Sequence, residues 1–432
     1  LTPAARLKAA AEALDRIAET RAPAESVLKA WGRENRYAGS KDRRAIADRV
    51  YKCLRARARL AWAMGAESGR ALVLGSLALL DAAPLADIET LFSGEGYAPA
   101  ALSRDERARL EARTGEPPAW VAAGLPAFAA EDLKATYGDA WIEEAEALML
   151  PRAPIDLRVN AAKASVEAVI AELAVEGLIA ERTPWSAWGL RLSAEPPPNV
   201  QKLAAYRGGR LEVQDEGSQI AAWLAGARPG MTVVDYCAGG GGKTLALAQA
   251  MEGRGRLVAC DVDQKRLDNI RPRLARARAG AELRLLGSQG EGVEEMEGST
   301  DLVLVDAPCS GSGTWRRRPE EASRLTLEEV ERLHAVQLEV LRPAARLVKP
   351  GGRLAYVTCS LLRREDEASA DAFEAAHPDF RPAPVAAALD APALTPAARE
   401  RLGALATGHR LRLSPRSSGT DGFFVALYER MS

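Results

Sequence analysis

Val233–Val234–Asp235–Tyr236–Cys237–Ala238–Gly239–Gly240–Gly241–Gly242–Lys243–Thr244 is the stretch on which the reading of this 432-residue chain turns. Pro229–Gly230–Met231–Thr232 ahead of it reads as a turn into a short apolar strand, and Leu245–Ala246–Leu247–Ala248 behind it as the start of a helix. Strand, glycine turn and helix together bring backbone close to a bound cofactor. Consecutive glycines remove side chains and tolerate positive φ. Two readings fail on spacing. A phosphate-binding loop ending in Gly242–Lys243–Thr244 needs a glycine where Cys237 stands. The dinucleotide pattern Gly-x-Gly-x-x-Gly, begun at Gly239 or Gly240, meets Thr244 or Leu245 at its last glycine, and begun one residue earlier meets Ala238 at its first. A nucleoside-binding turn of another kind survives.

Downstream, apolar strands are expected at 231–235, 257–260, 302–305 and 353–358, separated by helical stretches that include 264–278 and 326–348. Thr326 followed by Glu329 reads as a capping box for the last of these. Regular alternation of this kind predicts a mainly parallel sheet with helices on both faces. Upstream, residues 1–140 read as helical, with amphipathic helices over Leu7–Ile17 and Asp42–Met64 and a buried one over Ala71–Leu80. The Asp42–Met64 stretch turns Ile46, Val50, Cys53, Leu54 and Leu60 to one side. Its other side, with Lys41 just before it, carries Arg43, Arg44, Arg49, Lys52, Arg55, Arg57 and Arg59. Those cations read equally as a solvated outer face or as a patch for RNA phosphates. Pro117–Pro118 and Pro151–Pro154 mark breaks, and residues 150–207 read as a small α+β unit that runs out at Pro196–Pro197–Pro198. Its elements are strands at Ile155–Val159 and Gly189–Leu192 with a helix over Val166–Leu173.

Composition narrows the classes. No uncharged apolar run approaches the length of a membrane span, and Leu1–Thr2–Pro3 does not begin a signal-peptide pattern, so neither membrane nor export is expected. Five irregularly spaced cysteines argue against a disulfide scaffold and for a reducing compartment, the cytoplasm. A net charge of −1 means that any nucleic-acid contact must come from local patches. His334, His377 and His409 are scattered, with no ligand spacing around the cysteines, so no metal is expected.

The residues suited to chemistry cluster at predicted strand ends. Asp261 ends the strand Leu257–Val258–Ala259–Cys260, where an acid accepts hydrogen bonds from the ribose hydroxyls of a nucleoside cofactor. Asp306–Ala307–Pro308–Cys309–Ser310–Gly311–Ser312–Gly313 follows Leu302–Val303–Leu304–Val305, and Thr358–Cys359–Ser360 follows Tyr356–Val357. Two thiols and an acid at the C-terminal ends of strands of one sheet are where ligands of open α/β sheets sit.

These segments carry a resemblance. With Gln214–Asp215–Glu216–Gly217–Ser218–Gln219 and Thr420–Asp421–Gly422–Phe423–Phe424, in this order over about 200–432, they resemble the RNA cytosine-5 methyltransferases of the Sun, Nop2 and NSUN type, and most of all the bacterial enzymes of small-subunit ribosomal RNA. Residues 1–140 resemble, in the Ser40–Arg59 region, a helical domain related to a transcription antitermination factor. The resemblance implies a class I, Rossmann-like methyltransferase domain over 208–432, preceded by an α+β RNA-recognition unit at 150–207 and a helical RNA-binding domain at 1–140. It implies S-adenosyl-L-methionine as cofactor, held by Cys237, Ala238, Gly239, Gly240, Gly241, Gly242, Lys243, Asp261, Ser288 and Asp306. It implies RNA, the 16S ribosomal RNA in particular, as partner of a monomer. It also implies Cys359 as nucleophile toward carbon 6 of cytosine, Cys309 as the thiol that resolves the adduct, and Asp306 as the group that binds the base.

The chain departs from the family at two points. Gly239–Gly240 stand where Ala-Pro is usual, which loosens the turn. Gly287–Ser288–Gln289 replaces the usual adenine-contacting Asp, leaving Ser288 or Gln289 as a neutral partner. Gln337, in the helix before Cys359, is a candidate polar support, and Trp315–Arg316–Arg317–Arg318 a candidate basic patch with a stacking tryptophan. The basic run Arg266, Arg271, Arg273, Arg276 and Arg278 reads both ways. Rival readings are a methyltransferase of the same fold acting on transfer RNA, one acting on protein or a small molecule, which leaves the two thiols unexplained, and a non-catalytic RNA-binding factor.

Overall fold

The computed structural model describes residues 1–112, 115–194 and 197–432, so Pro196 of the expected proline break lies outside the described residues. The chain forms two compact units, one of Leu1–Arg152 with Trp315–Thr326, the other of Ala153–Thr314 with Leu327–Ser432.

The first unit is helical. Its opening helix, Pro3–Thr20, starts where the Thr2 side chain accepts from the Ala5 amide and Pro3 supplies a preset φ. Its buried stripe of Leu7, Ala10, Leu14 and Ile17 joins Ile46, Val50, Cys53, Leu72 and Leu74 in one core. The single helix expected over Asp42–Met64 is instead two, Ser40–Arg55 and Arg57–Met64. Ala56 leaves helical geometry at φ −105° and ψ 13°. No proline or glycine dictates the break. It turns Leu60 and Met64 against Gly75 of the helix Gly69–Leu79, where a Cβ would meet Met64 Cγ at 3.1 Å, and tertiary packing here outweighs local propensity. Much of the expected basic face is committed internally. Arg49 reaches Ser76 and Asp81, Lys52 reaches Asp81, Arg57 pairs with Glu67, and Arg55 donates to the Arg316 carbonyl at 2.9 Å.

The second unit holds two sheets. The smaller has strands β1 (Ile155–Val159), β2 (Ala180–Arg182), β3 (Gly189–Leu192) and β4 (Leu211–Val213) in the order β2-β3-β1-β4, all antiparallel. The helix Val166–Val175 lies in the same core through Val166, Val169 and Leu173. The expected limit at 207 falls short, because β4 is needed to pair the free edge of β1. Both sheets lie in one compact unit. Buried polar groups join them: Glu216 Oε1 accepts from the amides of Trp185 and Ser186 at 2.7 and 2.8 Å, and the Asp156 carboxylate takes Arg191 and the Glu216 amide.

The larger sheet has nine strands. β5 (Thr232–Asp235), β6 (Arg256–Asp261), β7 (Glu282–Leu285), β8 (Thr300–Asp306) and β9 (Val348–Thr358) are parallel, and β10 (Phe380–Pro382), β11 (Ala406–Thr407), β12 (Arg410–Leu413) and β13 (Phe423–Arg430) extend it antiparallel. The path runs β11-β12-β13-β9-β8-β5-β6-β7, with β10 on β13. Apolar cores lie on its two faces, one around Val233, Leu302 and Ala355, the other around Val234, Val303 and Leu354, the alternation that a sheet covered on both sides requires. This is the Rossmann-like methyltransferase class expected for 208–432. β7 lacks an apolar run because it is an edge strand with Glu282 and Leu285 exposed.

Candidate active site

Strand order lays the candidate residues along one edge of the sheet. Cys359 follows β9, Asp306 ends β8 with Cys309 just beyond, Asp235 ends β5 ahead of the glycine turn, Asp261 ends β6, and Ser288 follows β7. The chain runs outward from β5 through β6 to β7 and then returns to β8 on the other side of β5. The edge between β5 and β8 is therefore the topological switch point where a crevice opens.

On one side of this point the site is made of backbone. Gly239 and Gly241 have φ of 52° and 77°, a region that favours glycine, and Gly242 begins the helix Gly242–Ala250. Asp261 fixes the turn, its Oδ2 accepting from the Gly239 amide at 2.9 Å while Oδ1 accepts from the Asp263 amide at 2.9 Å. Arg273, held by Glu212, donates to the Gly240 carbonyl, so part of the downstream basic run serves the loop. Asp235 is fully buried. Its Oδ2 takes the Thr244 hydroxyl at 2.6 Å, while Oδ1 is buried without a protein partner. Burial, aided by the charge of the neighbouring Asp306 and opposed by the Thr244 bond, leaves this carboxyl pushed up to about 7. An orphaned buried acceptor beside a side-chain-free turn and a helix N-terminus suits a nucleoside cofactor with a cationic group. Ser288 stands exposed in the turn beyond β7, where Leu286 donates to the Asp261 carbonyl at 2.9 Å. Cys237 and Ala238 line the start of the turn, and burial, ahead of the charges of Asp261 and Asp306, holds the Cys237 thiol well above its usual range.

Lys243 turns away from the glycine loop. Its ammonium donates to Asp306 Oδ2 at 2.7 Å and lies 5.1 Å from the centre of the Phe423 ring. Burial lowers its pKa, but the charge and hydrogen bond of Asp306, with Cys359 and Asp235, outweigh that and raise it. Lysine and aspartate are thus a charged pair, and the Asp306 side chain, 31% exposed, remains reachable by a ligand.

The thiols of Cys309 and Cys359 lie 3.4 Å apart. The Cys359 hydrogen bond, burial and the Cys359 charge together hold the Cys309 thiol well above its ordinary range. At this distance either thiol could donate to the other. The charge of Cys359 acts on Lys243.

Residues that the sequence did not single out hold the thiol loops. Glu365 and Asp366 are both fully buried. Glu365 Oε1 accepts from the Ser310 amide at 2.7 Å, and its Oε2 from the hydroxyls of Ser310 and Ser360. Asp366 takes the Thr358 hydroxyl at 2.6 Å and the Arg412 guanidinium at 2.7 Å. Gln337, which the sequence did offer as a polar support, is buried and donates to the Pro308 carbonyl at 3.0 Å, while Ser369 and Tyr356 donate to its carbonyl oxygen. Two adjacent acids six and seven residues after Cys359 were the available signal, masked by the charged run Arg363–Arg364–Glu365–Asp366–Glu367, which reads as a solvated face. Two further contacts close the loops: the Gly313 amide donates to the Cys359 carbonyl at 3.0 Å, and the Gly422 amide to the Gly313 carbonyl at 2.8 Å.

The stacking role expected of Trp315 does not fit. Its ring is fully buried, and Arg316 is buried too with its carbonyl taken by Arg55, so this segment presents no tryptophan face to a base. Among the described residues no cluster of His, Cys, Asp and Glu is arranged to hold a metal, and no helix is long and apolar enough to cross a membrane.

Comparison with known proteins places this geometry. Residues 221–429 match the family described as 16S rRNA methyltransferase RsmB/F, and residues 125–199 match the ferredoxin-like domain of RsmF/B-like methyltransferases. The chain is 32% identical over 375 residues to the ribosomal RNA small subunit methyltransferase B of Xanthomonas campestris pv. campestris, covering 84% of this chain and 81% of that one. It is 31% identical over 316 residues to the corresponding protein of Pseudomonas putida, covering 72% of this chain and 65% of that one. Among solved structures, PH0851 superposes with a TM-score of 0.79 at 26% identity, over 100% of this chain and 99% of that one. NSun6 from Pyrococcus horikoshii shares the fold at a TM-score of 0.60 and 19% identity, over 72% of this chain and 99% of that one. Identity that extends over most of both chains joins the helical region, the small sheet and the thiol-bearing sheet in a single line of descent, and the chain belongs to the 16S rRNA methyltransferase RsmB/F family.

Proposed function

We propose that the protein methylates carbon 5 of a cytosine in 16S ribosomal RNA through a covalent adduct between Cys359 and carbon 6 of the base. The observation that carries this reading is the pair of sulfurs 3.4 Å apart beside the Lys243–Asp306 pair, at the switch point of a methyltransferase sheet. A methyltransferase acting on an already nucleophilic atom needs neither thiol.

Carbon 5 of cytosine is a poor nucleophile. S-adenosyl-L-methionine, when bound, supplies an electrophilic methyl group. The residues that would hold it are the turn Cys237–Lys243 with Asp261, and Ser288 beyond β7. Cys359, close enough to Lys243 for their charges to interact, adds as thiolate to carbon 6. That addition makes carbon 5 an enamine-type nucleophile. Asp306 binds the base edge at protonated N3 and draws electrons from the ring. Once carbon 5 is methylated a base takes its proton, the C–H electron pair re-forms the carbon 5–carbon 6 double bond, and the Cys359 sulfur is expelled as thiolate. Cys309, 3.4 Å from that sulfur, assists the resolution. The target base must leave its stack to reach both thiols. Free Cys53, Cys237, Cys260, Cys309 and Cys359 suit a protein that works in the reducing cytoplasm, and we take it to act as a monomer.

Bisulfite mapping of RNA from cells with and without the gene tests the reading. One cytosine of 16S ribosomal RNA loses its protection when the gene is absent. Loss of protection only in transfer RNA, or at no cytosine, rejects it.

A further inference from the structure

The two thiols come from loops 50 residues apart in the chain, and each is followed by a serine. Both serines converge on one side chain, Glu365. It is fully buried, and among the described residues no lysine, arginine or histidine pairs with it. A buried carboxylate without a counter-ion is costly unless hydrogen bonds replace its hydration. Here they do. Oε1 faces the Ser310 amide at 2.7 Å and Gln337 Nε2 at 3.4 Å, both of which can only donate. Oε2 faces the hydroxyls of Ser310 and Ser360.

The surrounding protons run one way. Ser312 Oγ accepts from the Leu361 amide at 2.9 Å and lies 3.0 Å from Ser360 Oγ, and Ser360 Oγ accepts from the Leu362 amide at 3.0 Å. Each hydroxyl has a single proton. With its lone pairs meeting the backbone amides, Ser312 donates to Ser360, and Ser360 donates to Glu365. Ser310, whose oxygen accepts from the Ser312 amide at 3.3 Å, donates to Glu365 as well. The pattern closes with an ionised carboxylate and with no proton left over. It ties the Cys309–Gly313 loop to the Cys359–Leu362 stretch through the residue next to each sulfur.

We propose that Glu365 is the positioning residue of the thiol pair: a buried carboxylate that sets where Cys309 stands relative to Cys359 by holding Ser310 and Ser360 together. It touches neither the base nor the cofactor and acts only through these serines. The inference rests on the roles given to the two thiols under the proposed function. A carboxamide of the same shape cannot take its place. Its nitrogen would face either two obligatory donors or the two hydroxyls. In the second case the serine chain must reverse, and the Ser312 proton loses its acceptor.

The test is Glu365→Gln in the full-length protein, followed by steady-state kinetics on 16S ribosomal RNA, calorimetry with S-adenosyl-L-methionine, and a denaturing gel for protein covalently joined to RNA. The expected result is a kcat lowered by about tenfold or more, with KM for RNA and Kd for the cofactor each within about twofold, the split that marks a loss confined to the reacting geometry. Adduct should accumulate, because a displaced Cys309 resolves it slowly. A second measurement does not depend on turnover: the iodoacetamide labelling rates of Cys309 and Cys359, read by mass spectrometry. Their ratio should shift by about threefold or more in the variant, since thiol reactivity follows local electrostatics and access. An unchanged kcat with an unchanged labelling ratio overturns the proposal. So does a parallel fall of kcat, cofactor affinity and Tm, which would mark plain destabilisation. If the wild-type protein methylates no RNA, the functional reading has failed on its own, and the labelling ratio alone decides the role of Glu365.

Discussion

The glycine turn at the end of β5 and the thiol loops at the ends of β8 and β9 sit on neighbouring strands of one sheet edge, yet they are held in opposite ways. The turn is a backbone structure. Its shape comes from positive φ at Gly239 and Gly241 and from the Asp261 carboxylate on the Gly239 amide, and Asp235 keeps one buried oxygen without a protein partner. The thiol loops are a side-chain structure. Buried Glu365, Asp366 and Gln337, with Ser312, Ser360 and the half-buried Ser310, fill their hydrogen bonds within the protein. A surface that must receive a cofactor from water leaves groups unsatisfied. A surface that must hold two sulfurs in register satisfies them beforehand, at the cost of burying charge. Lys243 joins the two, rising from the helix that follows the turn to pair with Asp306.

The sharpest way to break this contrast is at the sulfurs. Cys359→Ala should lower methyl transfer to background and abolish the covalent adduct. Cys309→Ala should instead accumulate protein joined to RNA, as seen on a denaturing gel with labelled RNA. A retained band with Cys359→Ala and none with Cys309→Ala would exchange the two roles.

Next in size is Asp261→Ala, which removes the acceptor that fixes the turn. Loss of a hydrogen bond to a charged group costs about 1.5–3 kcal/mol, so cofactor affinity should fall by about 10- to 100-fold in calorimetry. Iodoacetamide labelling of Cys309 and Cys359 should stay as in the wild type, because their loops do not lean on the turn. Altered labelling would show that the two regions are one mechanical piece.

A smaller effect comes from Asp235. Its folded-state pKa is raised from the ordinary 3.8 to about 7, so between these values the folded protein holds a proton that the unfolded chain has released. Stability without cofactor should therefore fall as pH rises through that window, and the part due to this group should vanish in Asp235→Asn. Urea unfolding at pH 5 and pH 8, with wild type and variant compared, reads the difference. Equal pH slopes in the two proteins would remove the assignment.

The least effect separates two neighbouring glycines. A Cβ at Gly240 meets only Arg273 Nη1 at 3.5 Å, and its φ is not positive, so Gly240→Ala should stabilise by about 0.4–1 kcal/mol through the unfolded chain. At Gly241 the φ of 77° and Ile270 Cγ2 at 2.9 Å make Gly241→Ala destabilising by more than that. Thermal melts of the two variants should move in opposite directions.

Much of the sheet was legible in the chain because the parallel strands are continuous apolar runs, as burial on both faces demands. β7 was not, since an edge strand needs no such run. The helix break at Ala56 was invisible because neither flank carries a breaker, and the packing that follows it, of Leu60 and Met64 against Gly75, lies nineteen residues on. Trp315 read as a stacking surface from its arginine neighbours, and burial of the ring reverses that expectation. Glu365 and Asp366 went unmarked among the charges at 363–367, since sequence alone does not tell a buried acid with hydrogen-bond donors from an exposed one.

What the sequence determined by itself is the set of local devices: the glycine turn after an apolar strand, acids at strand ends, and two thiols each placed just beyond a strand. These follow from short-range rules of backbone freedom and alternation, which hold wherever the segment lies. The tertiary structure alone decided which devices meet. It put β8 beside β5 and β9 beside β8, and so brought sulfurs from residues 309 and 359 to 3.4 Å, turned Lys243 from the cofactor turn to Asp306, and drew Glu365 inward to close the hydrogen bonds of both thiol loops. Strand order and burial are properties of the whole packed sheet, and no local stretch encodes them.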